Sequence, residues 1–304
     1  MFGRYFQLNV VVFIFITLIN GYVEAHKPLR HVFVSVAPQK ILVQRLVDQG
    51  VHVDVVVQPG QDPHTYEPSP KQIARLAQAD LYVRIGIPFE TTWMTKIRSV
   101  NPQMDVVNLT TELHLPHIHE HGHEHEHHMD QTPDANVESE QDPHIWTSPS
   151  LMKRMVITLR DYLIQHFPYN AVSYRTNATA LIQDIITLEN DIKAIFSTID
   201  DSKPCRFMVF HPAWGHFATA YGLEQISIQH NGKFPGAKTL GALISKAQSW
   251  GLKVIFVQPQ FDRKIARVVA QSLKGRIEIL DPLALDYFGN LRHVAQSIAR
   301  TCAP

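Results

Sequence analysis

Residues 31–38, HVFVSVAP, are a run of β-branched and aromatic residues closed by proline, and 41–50, ILVQRLVDQG, switches to an apolar spacing of three and four that stops at Gly50. The first pattern predicts a strand and the second a helix. The pair recurs: VHVDVVVQPG (51–60) reads as a strand closed by Pro-Gly, and SPKQIARLAQAD (69–80) as a helix opening at a Ser-Pro cap. LYVRIGIP (81–88) and MDVVNL (104–109) are further strands. Strands alternating with helices predict a mostly parallel sheet covered on both faces. From Pro168 to Phe196 the chain runs without glycine or internal proline, and Ala178, Leu181, Ile185, Leu188, Ile192 and Ile195 make one apolar face. A helix of that length spans ~40 Å, more than one lobe is wide. The alternation then resumes with RFMVF (206–210), GLEQISIQ (222–229), a helix stopped by Gly251, LKVIFVQP (252–259), a helix over 262–275, RIEIL (276–280) and a closing helix, LRHVAQSIAR (291–300). The pattern therefore predicts an α/β protein of two lobes, each with a mostly parallel sheet, joined by a long rigid helix. The expected divisions are 26–168, 169–199 for the linking helix and 200–304.

Two segments fall outside this rhythm. Arg4, the apolar run 8–19 and the exit Val23-Glu24-Ala25 read as a cleavable secretory signal over 1–25. The alternative is an uncleaved anchor, but the run is shorter than the roughly 20 apolar residues that span a bilayer. No cysteine lies near the cut to carry a lipid, so a freely soluble exported protein retained in a periplasm is expected. Residues 110–142 hold little apolar content, a His/Glu repeat and then TPDANVESEQD. Such composition cannot bury enough surface to offset its ordering entropy and predicts a mobile loop.

Charge and cysteine content narrow the partners. The 28 basic and 28 acidic residues leave no basic surplus for nucleic acid or a membrane surface. The only cysteines, Cys205 and Cys302, suit a disulfide in an oxidising compartment. Two free thiols are the alternative. Their separation does not read as a zinc ribbon.

The chemistry lies where strands end. One strand leads to Asp62-Pro63-His64, another directly to His211-Pro212, and a third to Asp281-Pro282; Asp142-Pro143-His144 follows the loop and repeats the first tripeptide. In open α/β sheets, ligands bind beyond the carboxyl ends of the strands. His64, His144, His211 and Asp281 would give three imidazoles and a carboxylate, a set suited to four-coordinate Zn²⁺ in the cleft between the lobes. Asp281 also reads as an ordinary helix cap. Glu67 and Asp62 are candidates to orient the ligand imidazoles. His216 reads as a helix-face residue or an outer partner, and Trp146 and Trp214 as packing beneath the site.

The order DPHTYEPSPKQIARLAQADLYVRIG, a histidine-rich loop, DPHIWTSP, FHPAWGHFATAYGL and LDPL closely resembles the ZnuA-type periplasmic zinc-binding components of ABC transporters, from about residue 27 onward. The resemblance implies two α/β lobes joined by a rigid helix, no enzymatic activity, and delivery of zinc to a membrane permease. The family's ligands fall on His64, His144 and His211; Asp281 takes the place of a fourth ligand that some members leave to water. Gln258, where relatives often carry glutamate, and His216, where an aromatic is common, depart from the pattern. Manganese receptors of the group tend to use two carboxylates, so His211 shifts preference toward Zn²⁺. The chain is expected to act as a monomer.

The stretch 114–128 holds eight histidines: His114, His117, His119, His121, His123, His125, His127 and His128. It formally matches the HExxH protease pattern twice, but that pattern requires an ordered helix, which Pro116 and Gly122 disfavour. The stretch reads instead as an auxiliary loop that holds several Zn²⁺ ions weakly, or as a solvated loop with no task. Three rivals follow: a secreted zinc-dependent hydrolase using three ligands and an open position, a receptor for manganese or another divalent metal, and a metal-buffering protein.

Overall fold

The computed structural model describes residues 27–111, 113, 142–199, 204–230 and 232–302; the expected signal (1–25) and the histidine-rich stretch (114–128) lie outside the described residues. The first lobe runs β1 (His31–Val34), α1 (Ala37–Leu46), β2 (His52–Val55), α2 (Pro70–Leu76), β3 (Leu81–Arg84), α3 (Pro88–Val100) and β4 (Asp105–Asn108). Its sheet is parallel throughout, in the order β2-β1-β3-β4. The central strands carry unbroken apolar runs because both faces are covered: Val32, Phe33, Val34, Leu81, Tyr82 and Val83 are all buried. The helix predicted to run to Gly50 starts earlier, at Ala37, and ends at Leu46. Pro38 lies in its first turn, where a preset φ helps and the missing N–H costs nothing. At α2, Ser69 and Gln72 form a reciprocal capping box, as the Ser-Pro signal predicts.

A 3₁₀ turn (Ile145–Thr147) leads into α4 (Pro149–His166), and a second (Pro168–Asn170) leads into α5 (Ala171–Phe196). The regular helix α5 lies within the expected link 169–199, and Tyr169 and Asn170 at the start of that span belong to the 3₁₀ turn. Tyr174, Ala178, Leu181, Ile185, Leu188 and Ile192 make its buried stripe. At 26 residues α5 is ~39 Å long. It packs on α1 and α4 of the first lobe and on α9 (Tyr287–Cys302) of the second.

The second lobe repeats the plan with β5 (Arg206–Val209), α6 (Gly215–Ala220), β6 (Glu224–Ser227), α7 (Ala237–Ser249), β7 (Val254–Val257), α8 (Lys264–Ser272), β8 (Arg276–Ile279) and α9. Its parallel sheet runs β6-β5-β7-β8, the order of the first lobe. Gly251, the predicted stop, follows α7 at φ 73°, a conformation that strains residues with a Cβ. One apolar cluster takes in Val34 and Tyr82 of the first lobe, Leu181 and Ile185 of α5, and Phe207, Phe256 and Leu291 of the second. The lobes therefore share a core instead of meeting across a flexible joint. Cys205 and Cys302 form a disulfide with Cα atoms 5.2 Å apart, tying the entry of β5 to the end of α9. Among the described residues, no helix is long and apolar enough to cross a membrane.

Candidate metal centre

Three Asp-Pro turns share one construction. Asp62 Oδ1 accepts the His64 N–H at 3.0 Å, Asp142 Oδ1 accepts the His144 N–H at 2.9 Å, and Asp281 Oδ1 accepts the Leu283 N–H at 2.9 Å. The acidic side chain closes a local turn two residues on, while the intervening proline fixes φ. Each turn presents its third residue, and His64, His144 and Leu283 all line one pocket with His211. His211 arrives differently, directly beyond β5, where the Phe210 N–H still bonds Phe256 O at 2.8 Å.

The three imidazoles converge. His144 Nε2 stands 3.4 Å from His64 Nε2 and 3.4 Å from His211 Nε2. The potential ligand atoms of all three lie within 4.8 Å of one another. A tetrahedral Zn²⁺ with Zn–N bonds of ~2.0–2.1 Å spaces its donor atoms at roughly 3.3–3.4 Å. The two close pairs therefore already stand at the separation one ion requires. His144 and His211 are 4% and 5% exposed, so the donors face little competing water.

The ring nitrogens turned away from the convergence are held. His144 Nδ1 bonds Asp142 Oδ1 at 2.6 Å, and His211 Nδ1 bonds Gln229 Oε1 at 3.2 Å. With Nδ1 donating, each Nε2 presents its lone pair to the centre. Gln258, buried at the exit of β7, donates through Nε2 to His211 O at 2.8 Å and steadies the same residue from its backbone side. Burial pushes His64 down to about 4 and His211 to about 2, and the neighbouring His144 adds to both shifts. Both rings are thus held neutral, the form that donates to a metal. Burial alone would raise the Asp142 carboxyl, but His144, and His216 behind it, hold it below the usual carboxylate range.

Both lobes close on the segment carrying His144. Trp146 packs edge-on against His144 with ring centroids 5.3 Å apart, and its Nε1 donates to Pro282 O at 2.7 Å. His216 is buried on α6 and donates from Nε2 to Asp142 O at 2.8 Å. Trp214, expected as packing, is buried beneath. Glu67 is exposed and Asp62 bonds the His64 amide, so the carboxylate that orients an imidazole is Asp142. Asp281 lies outside the group of three imidazoles and is not part of the pocket wall. One of its oxygens is committed to the turn, and burial raises its carboxyl.

Asp142 and Gln229 escaped the sequence reading. Asp142 is the first residue of the repeated tripeptide, and spacing alone marks it only as part of the motif. Gln229 is recoverable from register: Val209 pairs with Ser227 in parallel, so two residues on, His211 stands beside Gln229.

Residues 32–301 match the model of the family described as "ZnuA: Zinc-uptake complex component A periplasmic". The zinc-binding protein AdcA of Streptococcus pyogenes serotype M3 is 30% identical over 243 residues, covering 76% of this chain and 46% of that protein. The chain thus spans about half the length of the streptococcal relatives it matches. The high-affinity zinc uptake system protein ZnuA of Bacillus subtilis is 26% identical over 257 residues, covering 83% of this chain and 78% of that protein. A crystal structure of ZnuA superposes with a TM-score of 0.80 at 32% identity, covering 90% of this chain and 100% of that one. A ZnuA deletion mutant with zinc bound gives 0.80 at 33% identity, covering 91% and 99%. With the family model matching nearly all of the described fold, the chain belongs to the ZnuA family.

Proposed function

We propose that the protein is a periplasmic zinc receptor, exported by the signal at 1–25, that captures Zn²⁺ between its lobes and hands it as cargo to an ABC transporter permease. The observation that carries this reading is the convergence of His64, His144 and His211, their Nε2 atoms 3.4 Å apart in two pairs. Zn²⁺ fits the set because neutral imidazole suits it and the site holds few oxygen donors, which Mn²⁺ would favour. The three histidines are the protein's ligands. Asp281 completes the shell only by turning an oxygen inward from its Asp-Pro turn; otherwise water fills the fourth position. The family match to a zinc-uptake component supports a receptor over a hydrolase. The histidine-rich stretch 114–128 gathers further ions weakly. In this scheme 26–168 and 200–304 are the two lobes and 169–199 their link, and the chain works as a monomer.

Calorimetric titration with zinc tests the scheme on three proteins: the intact chain, a variant lacking 114–128, and a variant with His64, His144 and His211 changed to alanine. Removing the stretch will lower the total stoichiometry and spare one tight site, and the triple change will abolish that site. Loss of tight binding on removal of 114–128 alone would overturn the assignment.

A further inference from the structure

A second group of metal-capable side chains stands at the opposite end of the first sheet. His31 and His52 are the first residues of β1 and β2 and are paired across the parallel ladder, while Asp54 lies two residues beyond His52. Because side chains alternate along a strand, His52 and Asp54 share a face, and the register puts His31 on it too. The side chains meet accordingly. His31 Nε2 is 2.8 Å from Asp54 Oδ2, His52 Nε2 is 3.4 Å from Asp54 Oδ1, and the imidazole centroids are 5.2 Å apart. One potential ligand atom from each lies within 4.8 Å of the others.

From this convergence we propose a second divalent-cation site, formed by His31, His52 and Asp54, that takes Zn²⁺ or another borderline cation favouring imidazole. Two imidazoles and a carboxylate are a usual protein set for such an ion, with the remaining positions left to water. The surroundings set its strength. His31 and Asp54 are 19% and 16% exposed, whereas His52 is 67% exposed, so the ion arrives directly from solvent. Arg75, at the end of α2, already bonds Asp54 Oδ2 and lies over the Phe33 ring. A cation has to share the carboxylate with that guanidinium or displace it, which makes the site weaker than the buried centre of three histidines. It lies at the amino ends of the strands, whereas His64 and His211 lie beyond the carboxyl ends, so the two sites load independently.

Crystals of the full chain soaked in zinc chloride, with anomalous difference maps recorded at the zinc edge, read each position separately. A peak bounded by His31, His52 and Asp54 supports the site. Asp54→Asn will remove that peak while the one at His64, His144 and His211 persists, and Arg75→Ala will lower the zinc concentration that half-fills it by about tenfold. Histidine side-chain NMR of the same proteins supplies the occupancy in solution, with His31 and His52 signals shifting together. The proposal fails if no peak forms there in either the natural chain or Arg75→Ala at millimolar zinc. It fails equally if His52 alone responds, or if Asp54→Asn leaves the response unchanged. None of these outcomes bears on the peak at the three histidines.

Discussion

Asp142 offers a quantitative test of how the centre is built. Its Oδ1 accepts two hydrogen bonds, from the His144 ring at 2.6 Å and from the His144 amide at 2.9 Å. Asp142→Asn keeps an oxygen in place for both but removes the charge. A hydrogen bond to a charged partner contributes about 1.5–3 kcal/mol against about 0.5–1.5 for a neutral one, so the ring bond loses roughly 1–1.5 kcal/mol. That difference weakens zinc binding about tenfold. Asp142→Ala removes both acceptors and frees the imidazole to rotate, and the loss approaches the ~100-fold upper limit for partners behind a metal ligand. Asp62→Asn is the matched control. Asp62 closes the same kind of turn through the His64 amide at 3.0 Å, and its replacement will change affinity by less than about threefold, since asparagine closes such turns equally well. Competition against a zinc chelator of known affinity measures all three, with circular dichroism of the metal-free proteins confirming the fold. Equal losses in Asp142→Asn and Asp62→Asn, or an Asp142→Ala variant within twofold of the natural chain, would refute the reasoning.

Trp146→Phe keeps the packing against His144 but deletes the Nε1 bond to Pro282 O, and will lower the stability of the metal-free protein by ~1 kcal/mol in a denaturant titration. Reducing the Cys205–Cys302 disulfide, which closes a separation of 97 residues, will cost about 2–5 kcal/mol in a denaturant titration and leave zinc stoichiometry unchanged. Asp80 supplies a pH dependence. Burial would raise its carboxyl, but Lys27 and the N–H groups of His31 and Arg30 outweigh that and hold it below 3.8. A depressed folded-state value means the contribution to stability is complete above about 3.8 and is lost as pH falls through the lower folded value. Acid unfolding followed by fluorescence will show that part of the loss in the natural chain and not in Asp80→Asn.

Much of the fold was legible because its signals are local. Central strands buried on both faces read as apolar runs, and the stripe from Ala178 to Ile192 states its helix through spacing alone. Boundaries were less so: Pro38 closed a strand on paper but opens α1, since proline suits either position. The three converging histidines were legible through their place after strands and the repeat of Asp-Pro-His. Their supports were hidden for a physical reason. Whether an aspartate two residues before a histidine bonds only its amide, as Asp62 does, or its ring as well, as Asp142 does, depends on a χ angle that spacing does not encode. At Asp281 the turn that presents a histidine twice presents Leu283 the third time. His31, His52 and Asp54 stayed invisible until pairing of β1 with β2 brought them side by side.

The apolar mass running from Tyr82 through Leu181 to Phe256 bears on how the ion is taken up. Halves welded in this way reach their working arrangement at the moment of folding, so little oily area is left to vanish when zinc enters. Loading will then show a heat-capacity change close to zero, unlike the clearly negative value of a receptor that shuts like a jaw.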